Sequence, residues 1–187
     1  MKKWILFLWL LTGCTQEKDR EEPLFASLSE EETVFISLEE YGLTAVPKEI
    51  TQLKKIKKLS ISAIGSSKGW SIYPPHHVLI ERMKSQPTQE LPDEITQLTL
   101  LEDLALELLN LKTLPEDFDK LSNLESLDLG SNQLILSEEV DKLTQLNKLR
   151  FLTVEGNTVT EADLATLKQA LPELTINPEK PNEYIAP

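Results

Sequence analysis

Few side chains in this sequence have the types and spacing that chemistry needs. There is one cysteine, Cys14, and the two histidines, His76 and His77, are adjacent. Neighbouring side chains in an extended segment point to opposite sides, so this pair does not close on one metal ion, and no further His or Cys completes a ligand set. Gly65-Ser-Ser-Lys-Gly69 has the composition of a phosphate-binding loop without its G-x-x-x-x-G-K-[ST] spacing. No Gly-x-Ser-x-Gly run offers a nucleophile. Carboxylates are plentiful, yet nothing sets any of them in a dry pocket that would raise a pKa. The expectation is therefore a protein with no enzymatic activity, metal or cofactor.

Composition bounds the alternatives. A chain of 187 residues holds one domain with tails. Its 35 leucines, 40% apolar and 27% charged residues exclude a disordered chain. A lone cysteine excludes a disulfide framework. With 19 basic and 31 acidic residues the net charge is −12, which argues against a nucleic-acid surface.

The elements that position these residues begin with an N-terminal address. Met1-Lys2-Lys3 precedes eight apolar residues, Trp4 to Leu11. Eight helical residues span roughly 12 Å, short of the ~30 Å hydrocarbon core, so 1–13 reads as a secretion signal. The run Leu11-Thr12-Gly13-Cys14 resembles the lipobox of bacterial lipoproteins. The resemblance implies a diacylglyceryl group on Cys14, with Cys14 as the mature N-terminus and more than one acyl chain as the membrane anchor. Loss of Lys2 and Lys3 leaves 17 basic against 31 acidic residues, a charge of −14 that anionic headgroups repel, so the lipid must do the anchoring. Residues 14–23 are polar and aperiodic, a solvated tether. Thr15 is not the Asp that resembles an inner-membrane retention signal. The bacterial cell envelope is expected, at the outer membrane or cell surface rather than the inner membrane.

Beyond the tether the sequence repeats itself. One unit runs Leu111-Lys-Thr-Leu114-Pro115-Glu-Asp-Phe118, then Leu121, Leu124, Leu127, Leu129 and Asn132. Another has Leu91-Pro92, Ile95, Leu98, Leu101, Leu104 and Leu106; an earlier one has Leu43, Val46-Pro47, Ile50, Leu53, Ile56, Leu59 and Ile61. Apolar residues at every third position give one face of a helical or 3₁₀-like leg, and the Leu-x-Leu pair switches to the period of a strand. Each unit alone leaves its apolar face exposed, so the units must stack. These segments resemble the 23-residue leucine-rich repeat, LxxLPxx[IF]xxLxxLxxLxLxxN. The Ile36–Leu59 and Leu104–Leu127 intervals are both 23 on this reading. The resemblance implies an α/β solenoid, a short arc with a parallel sheet on the concave face and helical or 3₁₀ segments on the convex face. Six strands about 4.8 Å apart make a sheet ~25–30 Å wide.

The last full unit lacks the proline and carries an additional apolar triplet, so Leu127 to Leu152 is 25 residues and a longer convex helix is expected. Asn132 and Asn157 match the motif's asparagine, whereas Tyr41, Ile64 and Leu109 stand at the other places, where buried backbone must be satisfied differently. Leu24, Phe25 and Leu28 are expected to cover one end, ahead of a first strand over 34–38. At the other end the cap spans 158–177, with a capping box at Thr160-Glu-Ala-Asp163 and a final short strand around Leu174 and Ile176. The repeat domain is thus 24–177, with an insertion at about 65–88 and a tail over 178–187.

Leucine-rich repeats are protein-binding scaffolds in general, and the resemblance implies that the concave face binds a partner. Its outward residues are read as Phe35, Ser37 and Glu39; Lys58, Ser60 and Ser62; Asp103, Ala105 and Glu107; Ser126, Asp128 and Gly130; Phe151, Thr153 and Glu155. An acidic strip with exposed aromatics at both ends suits a protein with a basic patch. Trp70 and Tyr73 in the insertion add a second candidate surface, and an envelope structural or sensory protein that binds a glycan or small ligand there is the alternative. The protein is expected to be a monomer. The lipobox reading predicts that the N-terminal peptide from the membrane fraction begins at Cys14 and carries acyl mass; a retained Met1 or an unmodified Cys14 in the intact mass excludes it.

Overall fold

The computed structural model describes residues 24–64 and 89–177. Cys14, Trp70 and Tyr73, with the signal, tether, insertion and tail, lie outside the described residues. Six strands, β1 (Thr33–Ser37), β2 (Lys58–Ser62), β3 (Asp103–Glu107), β4 (Ser126–Asp128), β5 (Phe151–Thr153) and β6 (Thr175–Asn177), form one parallel sheet in chain order. Four 3₁₀ segments (Ala26–Leu28, Lys48–Gln52, Asp93–Gln97, Phe118–Lys120) and two α-helices, α1 (Leu136–Thr144) and α2 (Glu161–Ala170), alternate with the strands. This is a leucine-rich-repeat solenoid.

The period-three legs explain the 3₁₀ geometry. Their amides bond three residues back: Ile50 N–H to Pro47 O at 3.1 Å, then Leu53 N–H to Ile50 O at 3.1 Å. The same step recurs at Pro92–Ile95 (3.0 Å) and Pro115–Phe118 (3.2 Å), so each proline supplies a carbonyl at the one place where its missing N–H costs nothing. Ile50, Ile95 and Phe118 hold the same place in successive units and are fully buried, and Leu53, Leu98, Leu121 and Leu146 are buried likewise. The unit without the proline, which carries the additional apolar triplet, forms the longer helix α1.

At the strand entries one carbonyl receives two amides from the next unit. Glu32 O accepts from Lys57 and Lys58, Lys57 O from Glu102 and Asp103, Glu102 O from Glu125 and Ser126, and Glu125 O from Arg150 and Phe151, all at 2.8–3.0 Å. This ladder fixes the register, and the register corrects one sequence expectation. Ile36 pairs with Ile61, and Val34 with Leu59. The first interval is therefore 25 residues (59 − 34), not the 23 expected from Ile36 to Leu59, whereas Leu104–Leu127 is 23 as expected. The two additional residues go into the turn after β1, where Leu43 N–H bonds Leu38 O at 2.8 Å and Gly42 adopts φ +64°. That turn satisfies its own backbone and needs no asparagine.

Asn132 and Asn157 serve the turns that cannot. Asn132 Oδ1 accepts the amides of Leu109 (3.1 Å) and Leu111 (3.2 Å), and its Nδ2 donates to the carbonyls of Leu106 (2.6 Å), Leu129 (2.9 Å) and Gly130 (3.3 Å). Left-handed φ at Leu108 and Asn110, both +56°, accompanies the convergence of the two amides on that one oxygen. Asn157 repeats the device, accepting from Leu134 N–H (3.0 Å) and donating back to Leu129 O (2.8 Å).

A buried carboxylate and its half-buried lysine partner tie α1 to the preceding unit. Glu139, 1% exposed, accepts the Leu114 amide at 3.3 Å and pairs with Lys142 at 3.1 Å; Lys142 Nζ also donates to Leu114 O at 2.8 Å. Leu114 precedes Pro115, and both of its backbone groups are thus served by side chains of the next repeat. The ends are closed largely as expected. Phe25 is fully buried, its amide bonded to Gln52 Oε1 at 3.0 Å, and Leu28 packs on the core, but Leu24 is exposed, which corrects its assignment to the cap. The capping box is present, with Thr160 Oγ1 accepting from the Asp163 amide at 3.2 Å and Asp163 Oδ2 from the Thr160 amide at 2.8 Å.

Asn132→Ala strands several buried groups at once, each worth ~1–3 kcal/mol, so urea unfolding should show a loss of at least about 3 kcal/mol. Glu139→Ala leaves the buried Leu114 amide without its acceptor, while Lys142 keeps Glu116 and the Leu114 carbonyl, so it should cost about 1–3 kcal/mol, whereas Glu138→Ala on the exposed face of α1 should fall within ~0.5 kcal/mol of wild type.

Candidate functional site

The concave face is built by alternation along the strands. Val34 and Ile36, Leu59 and Ile61, Leu104 and Leu106, Leu127 and Leu152 point into the core, all at 2% exposure or less. The intervening residues project outward in columns across the sheet. The first column is Thr33, Lys58, Asp103, Ser126, Phe151 and Thr175; the second is Phe35, Ser60, Ala105, Asp128 and Thr153, reaching Asn177 at the sheet's end. Ser37, Ser62 and Glu107 begin a third column, which Gly130 and Glu155 continue beyond the ends of β4 and β5.

The register places the first row two residues from its expected position. Phe35 lies beside Ser60 in the second column, not beside Lys58, and Glu39 belongs to the exposed turn after β1, not to the sheet. Phe35 and Phe151 consequently stand in different columns, on strands at the two sides of the face. Both are exposed, at 75% and 60%. These values stand out because 35 other apolar side chains among the described residues are buried in the stack.

Between the aromatics the face is shallow. An open depression of about 340 Å³ is lined by Phe35, Lys58, Ser60, Asp103, Ala105 and Asp128. Its floor is low because Ser60 and Ala105 carry almost no side chain. Lys58 and Asp103, neighbours in the first column, form an ion pair, and that hydrogen bond holds the Lys58 ammonium above its usual range. The pair is exposed, so its weight in stability is small. At the strand exits three carboxylates gather: a Cβ placed on Gly130 would lie 3.0 Å from Asp128 Oδ1, 3.5 Å from Glu155 Cγ and 3.7 Å from Glu107 Oε1. Asp128 Oδ1 accepts the Gly130 amide at 2.8 Å. Burial pushes the Asp128 carboxyl above its ordinary value, and the Gly130 hydrogen bond partly opposes that shift.

Among the described residues no group of three His, Cys, Asp or Glu side chains is arranged to hold a metal ion, and no helix is long and apolar enough to cross a membrane. Glu139 and Lys142 are the ionisable residues that pattern reading missed. At i, i+3 on an amphipathic helix they look like a solvent-exposed pair, and only the proline turn packed against them removes the solvent.

No family model and no curated protein sequence matches the chain. Among solved structures the fold is similar to a leucine-rich-repeat protein of Leptospira interrogans, with 26% identity and a TM-score of 0.47 over 72% of this chain and 34% of that one. It is similar also to internalin C2 of Listeria monocytogenes, with 22% identity and a TM-score of 0.42 over 71% of this chain and 55% of that one. The leucine-rich-repeat ectodomain of an Arabidopsis thaliana receptor kinase gives 21% identity and a TM-score of 0.42 over 71% and 60%. The chain spans about a third of the length of the Leptospira protein. The assignment to the leucine-rich-repeat class rests on the stacked units and their register.

The raised Asp128 pKa carries a sign. Its ionised form is disfavoured by folding, a penalty absent below the ordinary value of 3.8 and complete once pH has risen through the folded value. Asp128→Asn keeps an acceptor for the Gly130 amide, so it should be more stable than wild type at neutral pH, with the advantage gone below pH 3.8. Urea unfolding of both proteins across that range is the check.

Proposed function

We propose that this chain is a non-catalytic protein-binding module, held at the bacterial cell envelope by lipid on Cys14, and that it takes its partner on the concave face. The observation that carries the binding reading is the pair Phe35 and Phe151, left 75% and 60% exposed on a sheet whose other face is dry core. Large aromatics on a rigid platform are the side chains that contribute most per residue at protein interfaces. The acidic residues read from the sequence on this face, Asp103, Glu107, Asp128 and Glu155, support a partner with a basic patch. The lipobox resemblance supports the anchor and the envelope location. The nine polar residues between Cys14 and the repeats, 15–23, are long enough to hold the face clear of the bilayer on this reading.

The test is co-purification from solubilised membranes with the full acylated chain. Phe35→Ala with Phe151→Ala should abolish retention of a partner at unchanged melting temperature, because neither ring contributes to the core. Charge reversal of Glu107 and Asp128 to Lys should weaken the same contact by at least about tenfold, the range of close charge pairs across interfaces. A partner retained equally by all variants rejects the concave face, and one lost only on replacing Trp70 and Tyr73 assigns binding to the insertion instead.

A further inference from the structure

Independently of the concave face, we infer that the free edge of β1 docks an extended segment of another protein, which joins the sheet as a further strand and carries Lys or Arg at both its ends. The sheet runs from β1 to β6 in chain order, so β1 has a neighbouring strand on one side only. On that side its even-numbered residues make the bonds. Glu32 O accepts the Lys58 amide at 2.9 Å, and Leu38 N–H donates to Ser62 O at 2.9 Å. Alternation therefore turns the amides of Thr33, Phe35 and Ser37, and the carbonyls of Thr33 and Phe35, to the open side. The Ser37 carbonyl lies there too, and it accepts the Tyr41 amide at 3.1 Å.

Proteins blunt strand edges with proline, charge, bulges or shortness. β6, at the opposite end, has three residues and is followed in sequence by Pro178, which has no N–H to offer a neighbour. β1 has none of these guards. It is five residues long, Thr-Val-Phe-Ile-Ser, with no proline or charge, and it pairs with β2 over its whole length without a bulge. Phe35 projects from it into solvent, and a β-branched or aromatic residue set opposite such a ring gains contact that neither has alone. Below the strand the end of the core is already closed by Phe25, fully buried against Tyr41 with ring centroids 5.9 Å apart. A docking strand thus adds to a finished end and has no core to complete.

Charge selects the occupant. Among the acids that flank β1, Glu30 and Glu32 pair with Lys55 and Lys57. Glu31 before the strand and Glu40 after it are exposed, and neither has a cation partner among the described residues. A second copy of this chain, paired antiparallel about Phe35, would bring Glu31 close to the other copy's Glu40 at both ends, which disfavours self-pairing. A segment with Lys or Arg at both ends meets opposite charge at each end, whichever way it runs. The net charge of −12 attracts the same sign of partner.

Selection from a display library of random peptides on the full chain in detergent tests this, with peptides of about nine residues to cover β1 and its flanks. Enriched sequences should carry β-branched or aromatic residues at alternate central positions and Lys or Arg at both ends. N-methylation of one peptide amide at a time should weaken binding at every second position only, by at least about tenfold, because alternate amides of an added strand face β1. In fluorescence anisotropy Phe35→Pro, which removes an amide that makes no bond within the sheet, should weaken binding by at least about tenfold. Glu31→Lys with Glu40→Lys should weaken it about three- to tenfold, and Phe151→Ala should leave it unchanged. The N-methyl scan decides the matter even where Phe35→Pro lowers stability. Loss of binding on Phe151→Ala assigns the peptide to the concave face and overturns the edge site. A scan without the alternation overturns the added strand, and enriched peptides with neutral or acidic ends overturn the occupant. A dimer in sedimentation that Phe35→Pro dissolves makes a second copy the occupant instead. A library that yields no binder overturns the site.

Discussion

Stacking the repeats buries the turns between them, and a buried turn must find a partner for every amide and carbonyl it exposes. Asn132 meets that constraint for the centre of the molecule. One carboxamide serves two amides and three carbonyls, and it reaches back into the preceding unit at Leu106 and Leu109. Asn157 reaches to Leu129 O, which Asn132 also engages, so the two side chains form a continuous chain of bonds linking three turns. Only a side chain with donor and acceptor on one short planar group does this; Asp would lose the donors and Leu both. The rest of the stack, with its sheet and its leucine columns, requires that these turns be dry and paired.

From that constraint follows a platform with little freedom. The carbonyls at the strand entries each hold two amides of the next unit, so no strand can slip by a residue without breaking the ladder. Register matters because the period of a strand is two, and a one-residue slip would exchange Phe35 for Val34 on the outer face. The exposed rings are consequently presented at fixed separation by a rigid sheet, and a binding partner has little ordering of this face to offset.

Polar groups inside the stack show how local pattern and tertiary setting divide the outcome. Thr160 and Asp163 are legible as a capping box because every bond involved lies within four residues. Glu139 and Lys142 are not, since their burial depends on Leu114 and Pro115, some twenty-five residues away in the preceding unit. Asp128 likewise looks like any strand acid until the stack buries it and the Gly130 amide bonds its carboxylate.

Periodicity alone was enough to establish stacked units with strands at the Leu-x-Leu pairs, helical or 3₁₀ legs between them, a longer helix where the proline is missing, and the capped C-terminal end. These are properties of apolar spacing over a dozen residues, and local physics decides them. The alignment of the first unit with its neighbour was settled only by tertiary structure. Ile36–Leu59 and Val34–Leu59 both preserve the alternation of apolar and polar residues, so the pattern cannot choose between intervals of 23 and 25. The choice was made by the turn after β1, where Gly42 lets the chain absorb two more residues with its own hydrogen bonds, and by the Glu32 carbonyl that captures Lys57 and Lys58. That choice moved Phe35 into the second column and Glu39 off the sheet, because a shift of two residues keeps the face but changes the neighbour.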